Sequence, residues 1–208
     1  MIKKMTTDFI FNTPKNILRR QFNEQGSKFI ATLAPAETEE QAREIIFNIS
    51  KEFPDATHHA YAYRICADTG LIERTSDDHE PAGTAGPPML QVLQGNNISN
   101  AVVVATRYFG GTKLGIGGLT RAYRDCARLS IEDAVLVSRE PFNSFLLRIA
   151  YEDYGAVTRL VEAHEGKIVS VEYTDDVTVT VTLPVRTTES FSSGFESTCR
   201  GRGKLTQI

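Results

Sequence analysis

Between Arg107 and Arg128 the chain concentrates the residue types that hold phosphates. Glycines stand at 110, 111, 115, 117 and 118, and Arg107, Lys113, Arg121, Arg124 and Arg128 surround them. The run follows the apolar stretch Ala101–Ala105, whose pattern predicts a strand, and empties into Leu119–Ile131, whose pattern predicts a helix. A glycine-rich connection entering a helix leaves backbone N–H groups unpaired and facing one way, and the positive end of the helix adds to their pull on an anion. At about 100° per residue, Leu119, Ala122, Cys126 and Leu129 form an apolar stripe, and Arg121, Arg124 and Arg128 fall on nearly the opposite face. Arginine suits phosphate because its planar fork donates two parallel hydrogen bonds. The same residues also fit a plainer arrangement, in which the glycines serve a tight strand-to-helix joint and the arginines a solvated face.

A second cluster lies at Ser76-Asp77-Asp78-His79-Glu80-Pro81-Ala82-Gly83-Thr84-Ala85-Gly86-Pro87-Pro88. Three carboxylates and a histidine within four residues suggest acid/base work or a divalent metal, with His58 and His59 as further nitrogen donors. Adjacent residues seldom point at one ion, and no His-x-x-x-His spacing is present, so no metal or other cofactor is expected. Two other roles fit the segment. One is a rigid Asx turn capping the next helix. The other is an acidic support, with Asp77 or Glu80 orienting Arg107 or Arg121.

Several chemistries are excluded. Neither Gly166-Lys167-Ile168 nor Gly203-Lys204-Leu205 supplies the Gly-Lys-Ser/Thr ending of a Walker loop. Thr120 stands where a dinucleotide fingerprint wants a small third residue. No Gly-x-Ser-x-Gly elbow exists, and Ser76 and Thr84 have no assigned base, so no catalytic residue is assigned. Cys66, Cys126 and Cys199 are widely spaced and form no CxxC pair, which fits a reducing cytoplasm. No run approaches the roughly 18 apolar residues of a membrane span.

The formal net charge of −3 argues against a generic nucleic-acid coat, but the charge is unevenly placed. Residues 1–28 hold six Lys/Arg against two Asp/Glu, and 107–128 hold five against one; 151–176 hold seven acids against two bases. Basic segments can therefore face a polyanion despite the acidic sum.

The elements that must position these groups follow from period and punctuation. Strands are predicted at Lys28–Ala34, His59–Cys66 and Ala101–Arg107, helices at Thr38–Phe53 and Leu119–Ile131, and a short helix at Met89–Leu93. Ser138-Arg139-Glu140-Pro141 breaks the periodicity and separates a domain at 1–138 from one at 141–208. The second domain predicts a strand over Phe145–Tyr151, a helix capped by Asp153 and stopped by Gly166, a hairpin of Lys167–Tyr173 with Val177–Leu183, a helix at Thr187–Thr198 and a strand at Lys204–Ile208. That order is βαββαβ, the ferredoxin-like split motif. Its sheet alternates Val177, Val179 and Val181 with Thr178, Thr180 and Thr182, one packed face and one wet. The fold class is α+β.

The segments Ser76–Leu90 and Val102–Tyr123, with His58-His59 and Tyr61-Ala62-Tyr63, closely resemble the signature of the IMPACT family, over Lys28 to about Ile131. Pro141–Ile208 resembles the small C-terminal domain of its bacterial members. The resemblance implies a ribosomal protein S5 domain 2-like N-terminal fold and a ferredoxin-like C-terminal domain similar to the last domain of elongation factor G. Eukaryotic members regulate translation under amino-acid starvation and use an additional N-terminal domain, for which Met1–Lys28 leaves no room. For this chain the resemblance implies a nucleic-acid or ribosome binder of undefined activity, and together with the residues it sets the expectation of a non-catalytic cytoplasmic protein whose partners are RNA, the ribosome or translation factors. Arg107, Gly110, Gly111, Lys113, Gly115, Gly117, Gly118, Arg121, Arg124 and Arg128 would then meet phosphate, supported by Asp77, Asp78 and Glu80. The alternative is an enzyme that holds a nucleotide or small phosphorylated substrate on the same loop, with a metal at the acidic turn. His79 stands where the family usually has Gly, which implies an uncommon backbone angle at that turn. Thr112 and Thr120 stand where aliphatic residues are more common.

Overall fold

The computed structural model describes residues 10–67 and 70–208; Lys3 and Lys4 of the basic N-terminal stretch lie outside them. The chain divides into two compact units, Phe11–Arg139 and Glu140–Ile208. Both combine helices with antiparallel sheets.

The first unit contains β1 (Phe11–Pro14), β2 (Leu18–Glu24), β3 (Ser27–Pro35), α1 (Glu39–Glu52), β4 (His58–Ala67), β5 (Gly70–Ser76), α2 (Gly86–Gly95), β6 (Ala101–Tyr108), α3 (Gly115–Glu132) and β7 (Leu136–Arg139). Five strands form one sheet in the order β2-β3-β6-β4-β5, and β1 pairs separately with β7. Neighbouring strands of the main sheet are antiparallel throughout. The central strand β6 is apolar along both faces, because a helix layer covers each. Phe29, Ala31, Leu33, Val103 and Ala105 pack on one side with Met89 and Leu93 of α2 and Leu119, Ala122 and Cys126 of α3. Ala34, Val102, Val104, Tyr63 and Ile65 pack on the other with Ala42 and Ile49 of α1.

Local chemistry sets the ends of these elements. Thr38 caps α1, its hydroxyl accepting from the Gln41 N–H at 3.2 Å, with Glu39 and Glu40 in the first turn. The β2–β3 hairpin turns on Gln25 and Gly26, at φ +45° and +84°, the paired positive angles of a tight two-residue turn. The helix after the glycine loop starts at Gly115, four residues before the start predicted from propensity. Only Phe109 to Leu114 is therefore loop, and Gly115, Gly117 and Gly118 lie in the first turn of α3.

The second unit runs β8 (Phe142–Ile149), a 3₁₀ turn at Tyr151–Asp153, α4 (Tyr154–Ala163), β9 (Lys167–Tyr173), β10 (Val177–Pro184), a second 3₁₀ turn at Val185–Thr187, α5 (Thr188–Thr198) and β11 (Lys204–Gln207), with sheet order β11-β8-β10-β9. Val177, Val179 and Val181 are buried under α4 and α5 with Phe191 and Phe195, while Thr178, Thr180 and Thr182 lie half-exposed on the other face. Two local readings are corrected. Asp153 makes no side-chain cap to α4 and instead pairs with Arg202, Oδ2 to Nη2 at 3.3 Å. Glu165, at φ +58°, takes the left-handed turn after α4. Gly166 is needed for space, since a Cβ there would lie 2.6 Å from Leu183.

Candidate phosphate site and its buried support

One end of the main sheet collects both sequence clusters. β3 begins there at Ser27 and β4 at His58, while β5 ends at Ser76 and β6 at Tyr108. The acidic segment leaves β5 and leads into α2; the glycine loop leaves β6 and leads into α3.

The acidic residues diverge. Asp77 accepts from the Gly83 N–H at 2.7 Å with Oδ2, and from the Ala85 and Gly86 N–H groups at 2.9 Å with Oδ1. It therefore caps α2 from eight residues upstream, where Ala85 at the cap position has no oxygen to offer. Asp78 accepts from the His59 N–H at 2.5 Å. Gly86 is crowded by Thr75 and Ser76, with space for no Cβ. The turn between them holds Asp78 at φ +44° and His79 at +68°, the left-handed angles that the Gly-to-His departure implies. Among the described residues Glu80 is the only one of the three carboxylates to meet an arginine. Among the described residues no group of three or more His, Cys, Asp and Glu side chains is placed to hold a metal.

Glu80 and Arg107 form a buried ion pair, Oε1 to Nη1 at 2.5 Å, with both side chains about 5% exposed. The same Oε1 accepts from the Tyr123 hydroxyl at 2.7 Å. Arg107 Nη2 donates to Ser27 Oγ at 3.1 Å, and the guanidinium lies between the rings of Phe29 and Phe109, 5.5 Å from each centroid. His58 Nδ1 donates to the Asp78 carbonyl at 2.7 Å, which leaves its Nε2 3.7 Å from Glu80 Oε1. Burial, with Glu80 alongside, pushes the Tyr123 hydroxyl far above its ordinary pKa. Arg107 is thus internal support for the loop rather than a group presented to solvent; a buried charge with this partner would lose more than it gained by leaving.

The glycines divide in the same way. Gly110 sits back to back with Gly26, where a Cβ would come within 1.9 Å of the Gly26 carbonyl carbon and oxygen. Its N–H reaches Ser27 Oγ at 3.3 Å. Gly118 is buried against Leu114. By contrast Gly111, Gly115 and Gly117 are exposed, and a Cβ on any of them would meet nothing within 4 Å. Among the described residues no side chain caps the start of α3, which leaves its first N–H groups open there. Lys113, Arg121 and Arg124 are exposed beside it and make no ion pair among the described residues. Arg128 is also exposed but bridges Asp125 and Glu132 on its own helix.

Sequence reasoning placed the loop and the helix and offered Glu80 as a partner for Arg107, but it named His58 only as a possible metal ligand and missed Ser27 and Tyr123 beneath the loop and Phe109 above. A signal was present for Tyr123. It lies four residues after Leu119 and so on the buried stripe, where a tyrosine hydroxyl needs a partner.

Residues 25–131 match the family model of the Impact N-terminal domain, and residues 147–202 match a second model, a domain of unknown function (DUF1949). The IMPACT family member YigZ of Escherichia coli (strain K12) is 33% identical over 88% of this chain and 90% of its own length. The chain belongs to the IMPACT family. Within the family, Protein IMPACT of Homo sapiens is 37% identical over 93 residues, which are 43% of this chain and 28% of that protein. A crystal structure titled only as a hypothetical protein superposes with a TM-score of 0.68 at 30% identity, covering 96% of this chain and 97% of that one. The Impact N-terminal match takes in the whole buried network, from Ser27 to Tyr123, together with the open start of α3. Among the described residues no helix is long and apolar enough to cross a membrane.

Proposed function

We propose that this IMPACT-family chain is a non-catalytic, translation-associated protein of the cytoplasm that binds RNA phosphates at the open start of α3. The observation that carries the reading is the pairing of an uncapped, glycine-lined helix start with three exposed cations, Lys113, Arg121 and Arg124, that have no acidic partner among the described residues. Neutral N–H groups and mobile positive charge on one surface suit a chain of phosphates. Gly111, Gly115 and Gly117 leave the backbone bare, so a phosphate oxygen meets no Cβ on approach.

The set of contacting residues is narrower than the sequence suggests: Gly111, Lys113, Gly115, Gly117, Arg121 and Arg124 face the ligand, while Arg107, Gly110 and Gly118 hold the loop. In this reading the first unit is a ribosomal protein S5 domain 2-like fold and the second a ferredoxin-like one that docks to RNA or protein. The kinship with eukaryotic Protein IMPACT supports the placement in translation.

The test is binding of purified full-length chain to ribosomal subunits and structured RNA, with ATP and Mg²⁺ as competitors. The reading expects RNA binding that ignores ATP and weakens in Arg121→Ala/Arg124→Ala without loss of thermal stability. Displacement by ATP would favour a nucleotide enzyme, and an unaffected double variant would make the arginine row a solvated face.

A further inference from the structure

Phe109 is the first residue of the glycine loop and is 46% exposed. A lone exposed apolar ring is ordinary on a protein surface and carries nothing by itself. The way this ring is held is not ordinary. Its N–H donates to Thr57 Oγ1 at 3.0 Å, and the next residue, Gly110, is locked against Gly26 and bonded to Ser27. One face of the ring meets the Arg107 guanidinium, which is itself fixed by Glu80 and Ser27 and backed by Phe29. Arg107 Nε is buried there with no hydrogen-bond partner among the described residues, an arrangement that costs stability and is kept nonetheless.

We infer that Phe109 is a stacking platform for one unpaired nucleobase, so that the RNA taken by this loop is single-stranded. The inference rests on the phosphate-binding reading above and adds the class of RNA. A ring already immobilised by its neighbours loses little freedom when a base lies on it. Stacking on an aromatic face accepts any base, and the phosphates flanking that base then fall to the cations and open N–H groups that follow in the same loop. In a duplex the bases are already stacked on each other and only the backbones are reachable, so Phe109 has nothing to grip.

The experiment measures full-length chain binding a single-stranded RNA that carries 2-aminopurine, whose fluorescence is quenched on stacking, and a duplex of the same length. Wild type should prefer the single strand and quench the probe. Phe109→Leu keeps an apolar side chain but removes the flat face; it should bind the single strand about ten-fold more weakly without quenching, with duplex affinity and salt dependence unchanged. Phe109→Trp, with a larger face, should restore or exceed wild-type binding. Equal binding of single strand and duplex by wild type, or a leucine variant indistinguishable from wild type, would overturn the inference and leave phosphate binding standing. Failure of wild type to bind either RNA would remove both.

Discussion

Three nearby glycines are predicted to respond to alanine in three different ways, because the structure gives each a different reason to be there. At Gly110 an added Cβ falls 1.9 Å from the backbone of Gly26 and 2.4 Å from the Ser27 nitrogen. Backbone atoms cannot rotate aside, so the loop must retreat by about 1.5 Å before an ordinary contact is restored. Overpacking of this kind costs about 1–3 kcal/mol, and the retreat also forfeits the bond to Ser27 Oγ, about 1 kcal/mol more. Gly110→Ala should therefore lose about 3 kcal/mol, a fall of about 12 °C at roughly 4 °C per kcal/mol. At Gly111 the space is open but φ is +86°, so alanine should cost only about 1 kcal/mol of backbone strain. At Gly117 the space is open and φ is not positive, within the first turn of α3; alanine should stabilise by up to about 0.5–1 kcal/mol. If bare backbone there serves phosphate approach, Gly117→Ala also weakens RNA binding while raising stability. Thermal unfolding followed by circular dichroism, alongside RNA binding, reads all three. A Gly110→Ala transition within 1 °C of wild type, or a Gly117→Ala loss as large as that of Gly110→Ala, would refute the reasoning.

Three further outcomes are expected. Glu80→Ala leaves the Arg107 charge buried and uncompensated and should cost about 3–5 kcal/mol by urea unfolding, against about 1 kcal/mol for Tyr123→Phe, which removes one hydrogen bond; equal losses would show that the ion pair is not the core of the network. His79→Gly relieves a left-handed angle of +68° on an exposed side chain and should stabilise by about 0.5–1 kcal/mol in the same assay. Burial and Glu39 push the Tyr63 hydroxyl to about 12, and Tyr123 is raised too, so the folded state keeps protons that the unfolded state releases. The stability contributed by these hydroxyls is intact below about pH 10 and should fall as pH rises from there through 12, which tyrosinate absorbance during unfolding will follow.

What the sequence makes legible here is what burial writes into it. α1 is readable from end to end because Thr38 supplies a cap, Glu39 and Glu40 suit its first turn, and one face must be apolar. The second unit is readable for the same reason, with strict alternation along β10. Strands β2 and β5 escape the reading because they lie at the two edges of the sheet, and Leu18–Glu24 is mostly exposed and polar. The start of α3 escapes it because glycine is a poor helix former. The first turn needs no intrahelical partner for its N–H groups, and at Gly118 a Cβ would lie 2.9 Å from that of Leu114, so glycine fits there where propensity argues against it. The site is half legible. Glycines and arginines are visible as types, but which of them face solvent depends on Ser27, Glu80 and Tyr123. Those residues lie up to 96 positions apart and meet only when β3, β6 and α3 are assembled.

The most direct test of phosphate binding at the start of α3 is the salt dependence of RNA affinity. Three cations that neutralise phosphate predict a slope of about −2 in log K against log salt for single-stranded RNA, and Arg121→Ala/Arg124→Ala should reduce it to about −0.7. A wild-type slope near zero, or a slope unchanged in the double variant, would contradict the assignment of these residues as the phosphate contacts.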